Sequence, residues 1–219
     1  MIRETYERQE GWEFPFVMYR PSKMEGKLPV IIQLHGAGER GDGEKDLDLV
    51  EVHGFRAVFS KEKEYPCMLV LPQCPKESFW AAEIPTLYAF IRKLIRKLPV
   101  NDKKISLTGL SMGGYGTWYF AMRHPKLLAA IAPVCGGGMV WNAEMLDMPV
   151  WAFHGTEDDV VYPSETIQMI HKIRAIGSVP PEDVNMTLID KVGHNAWDYA
   201  YTEELLEWLL EKERGWTKG

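Results

Sequence analysis

Short, continuously apolar segments alternate along the chain with longer segments whose apolar residues recur at helical spacing. A strand that is apolar on both faces must be covered on both faces, so such runs indicate the buried strands of a largely parallel sheet. Six of them occur, at Leu28–Leu34, Cys67–Leu71, Ile105–Thr108, Ala129–Val134, Val150–Phe153 and Val184–Ile189. Strands separated by helices predict an α/β fold, in which functional residues gather at the carboxyl ends of the strands.

The intervening amphipathic segments predict four helices. The first carries apolar residues at 84, 87, 91, 94, 95 and 98, and the others span Gly114–His124, Pro163–Ile176 and Thr202–Arg214. Trp12–Tyr19, ahead of the first buried strand, is interpreted as an antiparallel edge strand or a hairpin. Because the chain has 219 residues and neither a flexible linker nor an internal repeat, residues 1–219 are expected to form a single catalytic domain.

The composition narrows the class of protein. Hydrophobic residues make up 46% and charged residues 26% of the chain, which is typical of a globular protein. The net charge of -6 argues against general nucleic-acid binding, which normally needs a basic excess. The three cysteines are too few for a disulfide scaffold.

Neither a signal peptide nor a membrane span is apparent, so we expect a cytoplasmic protein if the sequence is complete, or a secreted one if it is an excised domain. Nothing in the sequence fixes an oligomeric state.

The segment Gly109-Leu110-Ser111-Met112-Gly113 contains Gly-x-Ser-x-Gly between a predicted strand and a predicted helix. This pattern is typical of the nucleophile elbow of α/β-hydrolases, where a strained serine stands at the turn. The two glycines are needed because side chains at their positions would collide across the turn. The sequence therefore predicts that Ser111 is a catalytic nucleophile.

A serine nucleophile needs a base, and the base needs an acid that orients it. In hydrolases with this elbow, the acid follows the serine along the chain and the base follows the acid. His194, which comes after the last predicted strand, satisfies that order. The order and the predicted elements disfavour the other histidines, His35, His53, His124, His154 and His171.

The acid is expected at the end of the fifth predicted strand, and three adjacent residues there are acidic. Glu157, Asp158 and Asp159 all fit the order, and periodicity cannot choose among them.

Ester hydrolysis also needs amide donors aimed at the developing oxyanion. One donor is the amide of the residue after the nucleophile, Met112. The second is expected in the glycine-rich loop after the first buried strand, where small residues let the backbone approach a carbonyl closely. Ala37 is assigned this role, with Gly36 as the alternative.

Several motifs together resemble a known group of enzymes. His-Gly-Ala-Gly-Glu-Arg-Gly (35–41), Pro-Gln-Cys-Pro (72–75) with Trp80, Gly-Leu-Ser-Met-Gly-Gly (109–114), His-Gly-Thr-Glu-Asp (154–158) and Gly-His (193–194) occur in this order. They resemble the compact carboxylesterases of the α/β-hydrolase superfamily, in the group known as predicted peptidases or phospholipase/carboxylesterases and similar to feruloyl and polyhydroxybutyrate esterases. The resemblance implies the α/β-hydrolase fold, with a mostly parallel central sheet and helices on both faces. It selects Asp158 as the acid and Trp80 as a substrate-binding residue, whereas Tyr162 departs from the group's usual Val-Pro.

Only Cys135–Pro149 separates the fourth predicted strand from the fifth, which is too short for a lid domain. We therefore expect an open site that suits small-molecule esters with short-chain or aryl groups, walled by Trp80, Met139, Trp141 and Trp197. The sequence predicts a serine carboxylesterase that needs no metal or other cofactor. A thioesterase or peptidase of the same fold is the alternative, and a non-catalytic binding module with this fold is the alternative from another class.

Overall fold

The computed structural model describes residues 1–8, 11–59 and 63–215. Within these ranges, eight strands form one sheet in the order β1-β2-β4-β3-β5-β6-β7-β8. Their bounds are β1 Ile2–Tyr6, β2 Phe16–Arg20, β3 Leu28–Leu34, β4 Met68–Pro72, β5 Val100–Leu110, β6 Ala130–Val134, β7 Val150–Gly155 and β8 Val184–Ile189. The six predicted buried strands are all present, as β3 to β8.

Strands β3 to β8 pair in parallel, and β1 and β2 are added antiparallel beside β4. Of the two predictions for Trp12–Tyr19, the hairpin agrees with the structure and the edge strand does not, because β2 pairs antiparallel with β1 on one side and with β4 on the other. The edge is β1, which the sequence analysis missed. Its sequence, Ile-Arg-Glu-Thr-Tyr, is mostly solvent-exposed and therefore lacks the apolar run of a buried strand.

The helices lie on both faces of the sheet, as expected. Their bounds are α1 Arg56–Phe59, α2 Ile84–Lys97, α3 Met112–Arg123, α4 Ser164–Ile176, α5 Trp197–Ala200 and α6 Glu203–Glu211. Apolar residues of α2, α3 and α4 pack into one core cluster, and those of α1 and α6 pack into a second one across the sheet. Parallel strands buried from both sides are the arrangement that the continuous apolar runs predicted.

Among the predicted buried strands and helices, two elements differ in length from their predictions by more than two residues. The third predicted strand, Ile105–Thr108, is the inner part of β5, which starts at Val100. Residues 101–104 are polar and partly exposed, so they carry no apolar signal although they extend the strand. The last helix ends at Glu211 rather than Arg214, and its first turn is capped by the Thr202 hydroxyl, which accepts from the Leu205 amide.

The connections at the carboxyl ends of the strands position the candidate site. The β5–α3 turn and the loops after β3, β6, β7 and β8 all begin at this edge of the sheet. Between β6 and β7, the chain forms only a short 3-10 helix, Val140–Met145, and no lid domain is inserted in these described residues. Among the described residues, no helix has the length and apolar character that crossing a membrane requires.

Candidate active site

Ser111 stands at the abrupt turn between β5 and α3. Leu110 is the last residue of the strand and Met112 the first of the helix, and Ser111 has φ 52° and ψ -115°. A positive φ costs a non-glycine residue about 1–3 kcal/mol and persists only where the surroundings enforce it. Here the Ser111 amide donates to the Val134 carbonyl at 2.9 Å, and the Ser111 carbonyl accepts from the Tyr115 amide at 3.1 Å. The turn thus holds the hydroxyl at the end of the sheet.

Close backbone contacts explain the two glycines of the motif. A Cβ on Gly109 would overlap with the Gly113 carbonyl, and a Cβ on Gly113 would overlap with the Leu34 carbonyl. A Cβ on Gly114 would lie 2.6 Å from the Val134 carbonyl oxygen. The expected collisions are therefore confirmed, and the third glycine lets α3 pack directly against the end of β6.

The structure brings together the three residues predicted for the triad. His194 Nε2 lies 2.8 Å from Ser111 Oγ, and His194 Nδ1 lies 2.8 Å from Asp158 Oδ2. Asp158 is buried, whereas both neighbouring acids, Glu157 and Asp159, are exposed. The three side chains come from the ends of three different strands, so only the tertiary fold could join them.

The hydrogen bonds define which nitrogen of His194 carries the proton. Nδ1 faces a carboxylate, which can only accept, so Nδ1 donates and Nε2 is free to accept from the Ser111 hydroxyl. Asp158 Oδ1 accepts in addition from the amides of Val160 and Val161, at 3.0 and 2.9 Å. Burial opposes ionisation of Asp158, but these bonds from His194 and the two amides outweigh it and hold the carboxyl pKa below its usual value.

Asp158 has two further buried neighbours, Cys135 and His154. The sequence analysis gave neither of them a role. The donor atoms of Cys135, His154 and Asp158 lie within 4.8 Å of one another, a grouping that metal sites also show. Burial raises the pKa of the Cys135 thiol to about 12, however, so sulfur keeps its proton at neutral pH. His154 Nε2 faces the Val161 carbonyl at 2.9 Å, and Asp158 is already bound by His194. Two of these three side chains are thus already hydrogen-bonded within the protein, and the group lies where it can support Asp158.

The loop after β3 lies beside Ser111. A Cβ on Gly36 would lie 3.8 Å from the Ser111 Cβ, and Ala37, the first residue of a short 3-10 helix, is exposed. Both predicted donors are backbone amides. That of Ala37 belongs to the loop after β3, and that of Met112 belongs to the start of α3. Met112 begins α3, where amide groups lack partners within the helix and the helix dipole is positive.

His35 fixes the direction of the Ala37 amide. The Cys74 amide donates to His35 Nε2 at 2.9 Å, so the ring proton is on Nδ1, which donates to the Gly36 carbonyl at 2.6 Å. Because a trans peptide is planar, the Ala37 N–H points away from the Gly36 carbonyl. Burial lowers the pKa of His35 to about 4, and the ring therefore stays neutral in this role.

The structure places Trp80 elsewhere than its prediction as a substrate-binding residue implies. Its side chain is 0% exposed, packs edge-on against His35 and Phe14, and donates from Nε1 to the His35 carbonyl at 3.0 Å. A fully buried indole presents no surface to a substrate, so Trp80 supports the loop after β3 from behind. The sequence pattern alone could not distinguish a tryptophan buried behind the loop from one that faces the substrate, since both lie near the same loop.

The other three expected wall residues have different surroundings. Trp197 contacts the His194 ring edge-on, with centroids 5.1 Å apart, and therefore borders the triad histidine. Trp141 is exposed, and Met139 packs partly against the core. Met139 also lines a surface cleft of about 590 Å³ between α2, α3 and the 140–145 turn, whose lining includes none of the triad residues. Of the expected wall residues, Trp197 is the one that contacts the triad.

Comparisons with known proteins agree with the fold. Residues 77–180 match the dienelactone hydrolase family. The chain is 27% identical over 162 residues to the bifunctional acetylxylan esterase/xylanase XynS20E of Neocallimastix patriciarum, an alignment that covers 71% of this chain and 23% of that protein. It is 31% identical to a thermostable esterase of known crystal structure, with a TM-score of 0.78, over 97% of this chain and 63% of that one.

A further solved structure shares the fold at low sequence identity. The acetyl xylan esterase from Aspergillus awamori is 14% identical, with a TM-score of 0.73, over 95% of this chain and 99% of that one. The mostly parallel sheet and the strand–serine–helix turn match what the sequence motifs implied. The chain therefore has the α/β-hydrolase fold, and over residues 77–180 it is similar to the dienelactone hydrolase family.

Proposed function

We propose that the chain is a serine carboxylesterase, folded as a single catalytic domain, that hydrolyses short-chain or aryl esters through an acyl-enzyme. Ser111 is the nucleophile, His194 the general base and acid, and Asp158 the residue that orients His194. The observation that carries the proposal is the continuous chain of hydrogen bonds, 2.8 Å from Ser111 Oγ to His194 Nε2 and 2.8 Å from His194 Nδ1 to Asp158 Oδ2. This is the geometry through which a weak hydroxyl nucleophile is activated.

In the first half of the reaction, Ser111 Oγ attacks the ester carbonyl carbon while His194 Nε2 takes the hydroxyl proton. The carbonyl π electrons move to oxygen, and the amides of Ala37 and Met112 stabilise the resulting oxyanion. When the intermediate collapses, the bond to the alcohol oxygen breaks, and His194 returns the proton to that oxygen. The acyl group is then bound to Ser111, and the alcohol leaves.

In the second half, a water molecule replaces the alcohol. His194 Nε2 takes a proton from the water as its oxygen attacks the acyl carbon, and the same two amides stabilise the second oxyanion. Collapse breaks the bond to Ser111 Oγ, which recovers its proton from His194. The carboxylic acid leaves and the enzyme returns to its starting state. Asp158 remains ionised throughout and stabilises the His194 imidazolium.

The open site favours small acyl groups. The connection between β6 and β7 carries a short 3-10 helix rather than a lid, so no apolar cover is built there for a long chain. The names of two relatives, each an acetylxylan esterase, also describe a short acyl group. We therefore infer that acetyl and other short-chain esters are preferred. A thioester is the nearest alternative, because it reacts through the same intermediate.

Replacing Ser111 by alanine tests the proposal. We expect Ser111→Ala to lower kcat for p-nitrophenyl acetate by about 10⁴-fold or more, because only binding and oxyanion stabilisation remain. Ser164→Ala, which changes an exposed serine in the first turn of α4, is the matched control and should keep full activity. An organophosphate should label the parent protein at Ser111 in a one-to-one ratio. Activity of more than a few per cent in a correctly folded Ser111→Ala protein would overturn the assignment of Ser111, whereas a parent protein without esterase activity would favour a binding module.

A further inference from the structure

His154 is a fully buried histidine that the proposed reaction does not use. It is the next-to-last residue of β7, and its side chain is 0% exposed. Its Nε2 atom lies 2.9 Å from the Val161 carbonyl oxygen and 3.2 Å from Asp158 Oδ2. Its Nδ1 atom lies 2.8 Å from the Thr166 hydroxyl, which in turn lies 2.8 Å from the Gly136 carbonyl oxygen. The ring therefore connects the candidate acid to the first turns of α4.

The partners of His154 define its protonation. Nε2 faces a carbonyl and a carboxylate, both of which only accept, so Nε2 carries a proton. Nδ1 faces the Thr166 hydroxyl, whose one proton is directed at either Nδ1 or the Gly136 carbonyl. Burial lowers the pKa of His154 below its usual value, although the Val161 carbonyl and Asp158 act in the opposite direction. The Nε2–H group accordingly faces the Val161 carbonyl at 2.9 Å, and Asp158 Oδ2 is its second, longer contact at 3.2 Å.

Asp158 Oδ2 consequently lies between two imidazoles. His194 Nδ1 approaches it at 2.8 Å and His154 Nε2 at 3.2 Å, while the amides of Val160 and Val161 hold Oδ1. We propose that His154 is a positioning residue, which holds the Asp158 carboxylate in the orientation that His194 requires. This inference rests on the proposed serine esterase function.

Two physical effects support this role. First, a second contact on Oδ2 from a fully buried ring restrains the carboxylate plane independently of His194, the ring that this carboxylate must orient. Second, His154 also binds the Val161 carbonyl, so it braces the turn that supplies the Val160 and Val161 amides. The remaining neighbour, the Cys135 thiol, is neutral and a weak donor, so it cannot replace a ring N–H. Loss of the His154 donor should therefore disturb the imidazole of His194 through Asp158.

Two amide substitutions separate the two sides of the ring. In His154→Gln, the amide nitrogen can occupy the position of Nε2 and still donate to Asp158 and Val161. In His154→Asn, the shorter side chain reaches only the position of Nδ1, so it keeps the Thr166 contact and loses the Asp158 contact. Both variants bury an uncharged amide, which matches them in polarity. We expect His154→Asn to lower kcat for p-nitrophenyl acetate by about 10²-fold with little change in KM, and His154→Gln to lower kcat by less than about tenfold.

A double-mutant cycle with Asp158→Asn distinguishes positioning from a general structural effect. If His154 acts through Asp158, His154→Asn should cost less than about threefold in kcat once Asp158 is asparagine, because coupled residues are not additive. The low-field proton NMR resonance of His194 Nδ1–H should persist in His154→Gln and shift or broaden in His154→Asn. Thermal unfolding of both single variants supplies the control for folding.

Each outcome of the cycle has a defined meaning. The same loss of kcat in both backgrounds would overturn the inference, as would equal activity of His154→Asn and His154→Gln. Either result, obtained while Asp158→Asn is itself strongly impaired, leaves the esterase proposal intact. Full activity of Asp158→Asn would instead overturn the proposed function, and this inference with it.

Discussion

Gly113 lies directly against Leu34, so that a Cβ on Gly113 would overlap with the Leu34 carbonyl oxygen. This contact joins the first turn of α3 to the end of β3, and therefore brings Ser111 beside the loop that carries Ala37. The neighbouring strands β3 and β5 pair in parallel up to Leu34 and Gly109, which sets the two loops level with each other. The approach of Ser111 to this loop, which carries the proposed oxyanion donor Ala37, thus requires that residue 113 have no side chain.

Substitution of Gly113 should be costly for this reason. We expect Gly113→Ala to lower the free energy of unfolding by about 1–3 kcal/mol, since the backbone of β3 or α3 must shift to admit the methyl group. Gly38→Ala is the control, because a Cβ there meets no atom within 4 Å and Gly38 needs no positive φ. Urea denaturation of the two variants measures the difference. Equal stabilities would show that the backbone at Gly113 and Leu34 can admit a methyl group without cost.

The three adjacent acids can be separated by a pair of matched substitutions. Asp158→Asn should lower kcat by up to about 10⁴-fold, because an asparagine does not hold the required tautomer of His194 or stabilise its imidazolium. Asp159→Asn should stay within about tenfold of the parent, since Asp159 is exposed while Asp158 receives the His194 bond. Both variants are to be assayed with one substrate at one pH. A crippled Asp159→Asn beside an active Asp158→Asn would reverse the assignment.

Stability should depend on pH through His35. The pKa of His35 is about 4 in the folded protein, against an ordinary value of 6.5. Between these values the unfolded chain binds a proton that the folded protein does not, so stability falls as pH is lowered from 6.5 toward 4. The slope from this one group reaches at most about 1.4 kcal/mol per pH unit. His35→Gln should remove this part of the slope, whereas substitution of the exposed His171 by glutamine should leave it in place.

Acyl-chain selectivity should follow from the absence of a lid between β6 and β7. We expect kcat/KM for p-nitrophenyl esters to be greatest for acyl chains of about two to six carbons, with no jump in rate above the solubility limit of a longer ester. A series of esters from acetate to palmitate, assayed below and above solubility, provides the measurement. Activation by an ester–water interface would show that some other segment covers the site.

Local patterns predicted most of the fold. The continuous apolar runs identified β3 to β8, since a strand covered on both faces must be apolar throughout, and the helical periodicities identified α2, α3, α4 and α6. Patterns missed β1, because an exposed edge strand needs no apolar side chains. They also underestimated β5, whose polar residues 101–104 extend the strand without being buried.

For the candidate site, the sequence by itself predicted Ser111, because the strand–turn–helix geometry demands glycines at fixed spacing. That an acid and then a base follow it along the chain came from the order typical of hydrolases with this elbow. The choice of Asp158 over its two acidic neighbours came from resemblance to a family, and the structure gives it a physical basis in the direction of each side chain at the end of β7. Only the tertiary structure revealed that Trp80 is buried behind the loop after β3 and that His154 contacts Asp158. Both depend on contacts between residues distant in sequence or on the exact direction of a ring, and neither leaves a periodic signal in the chain.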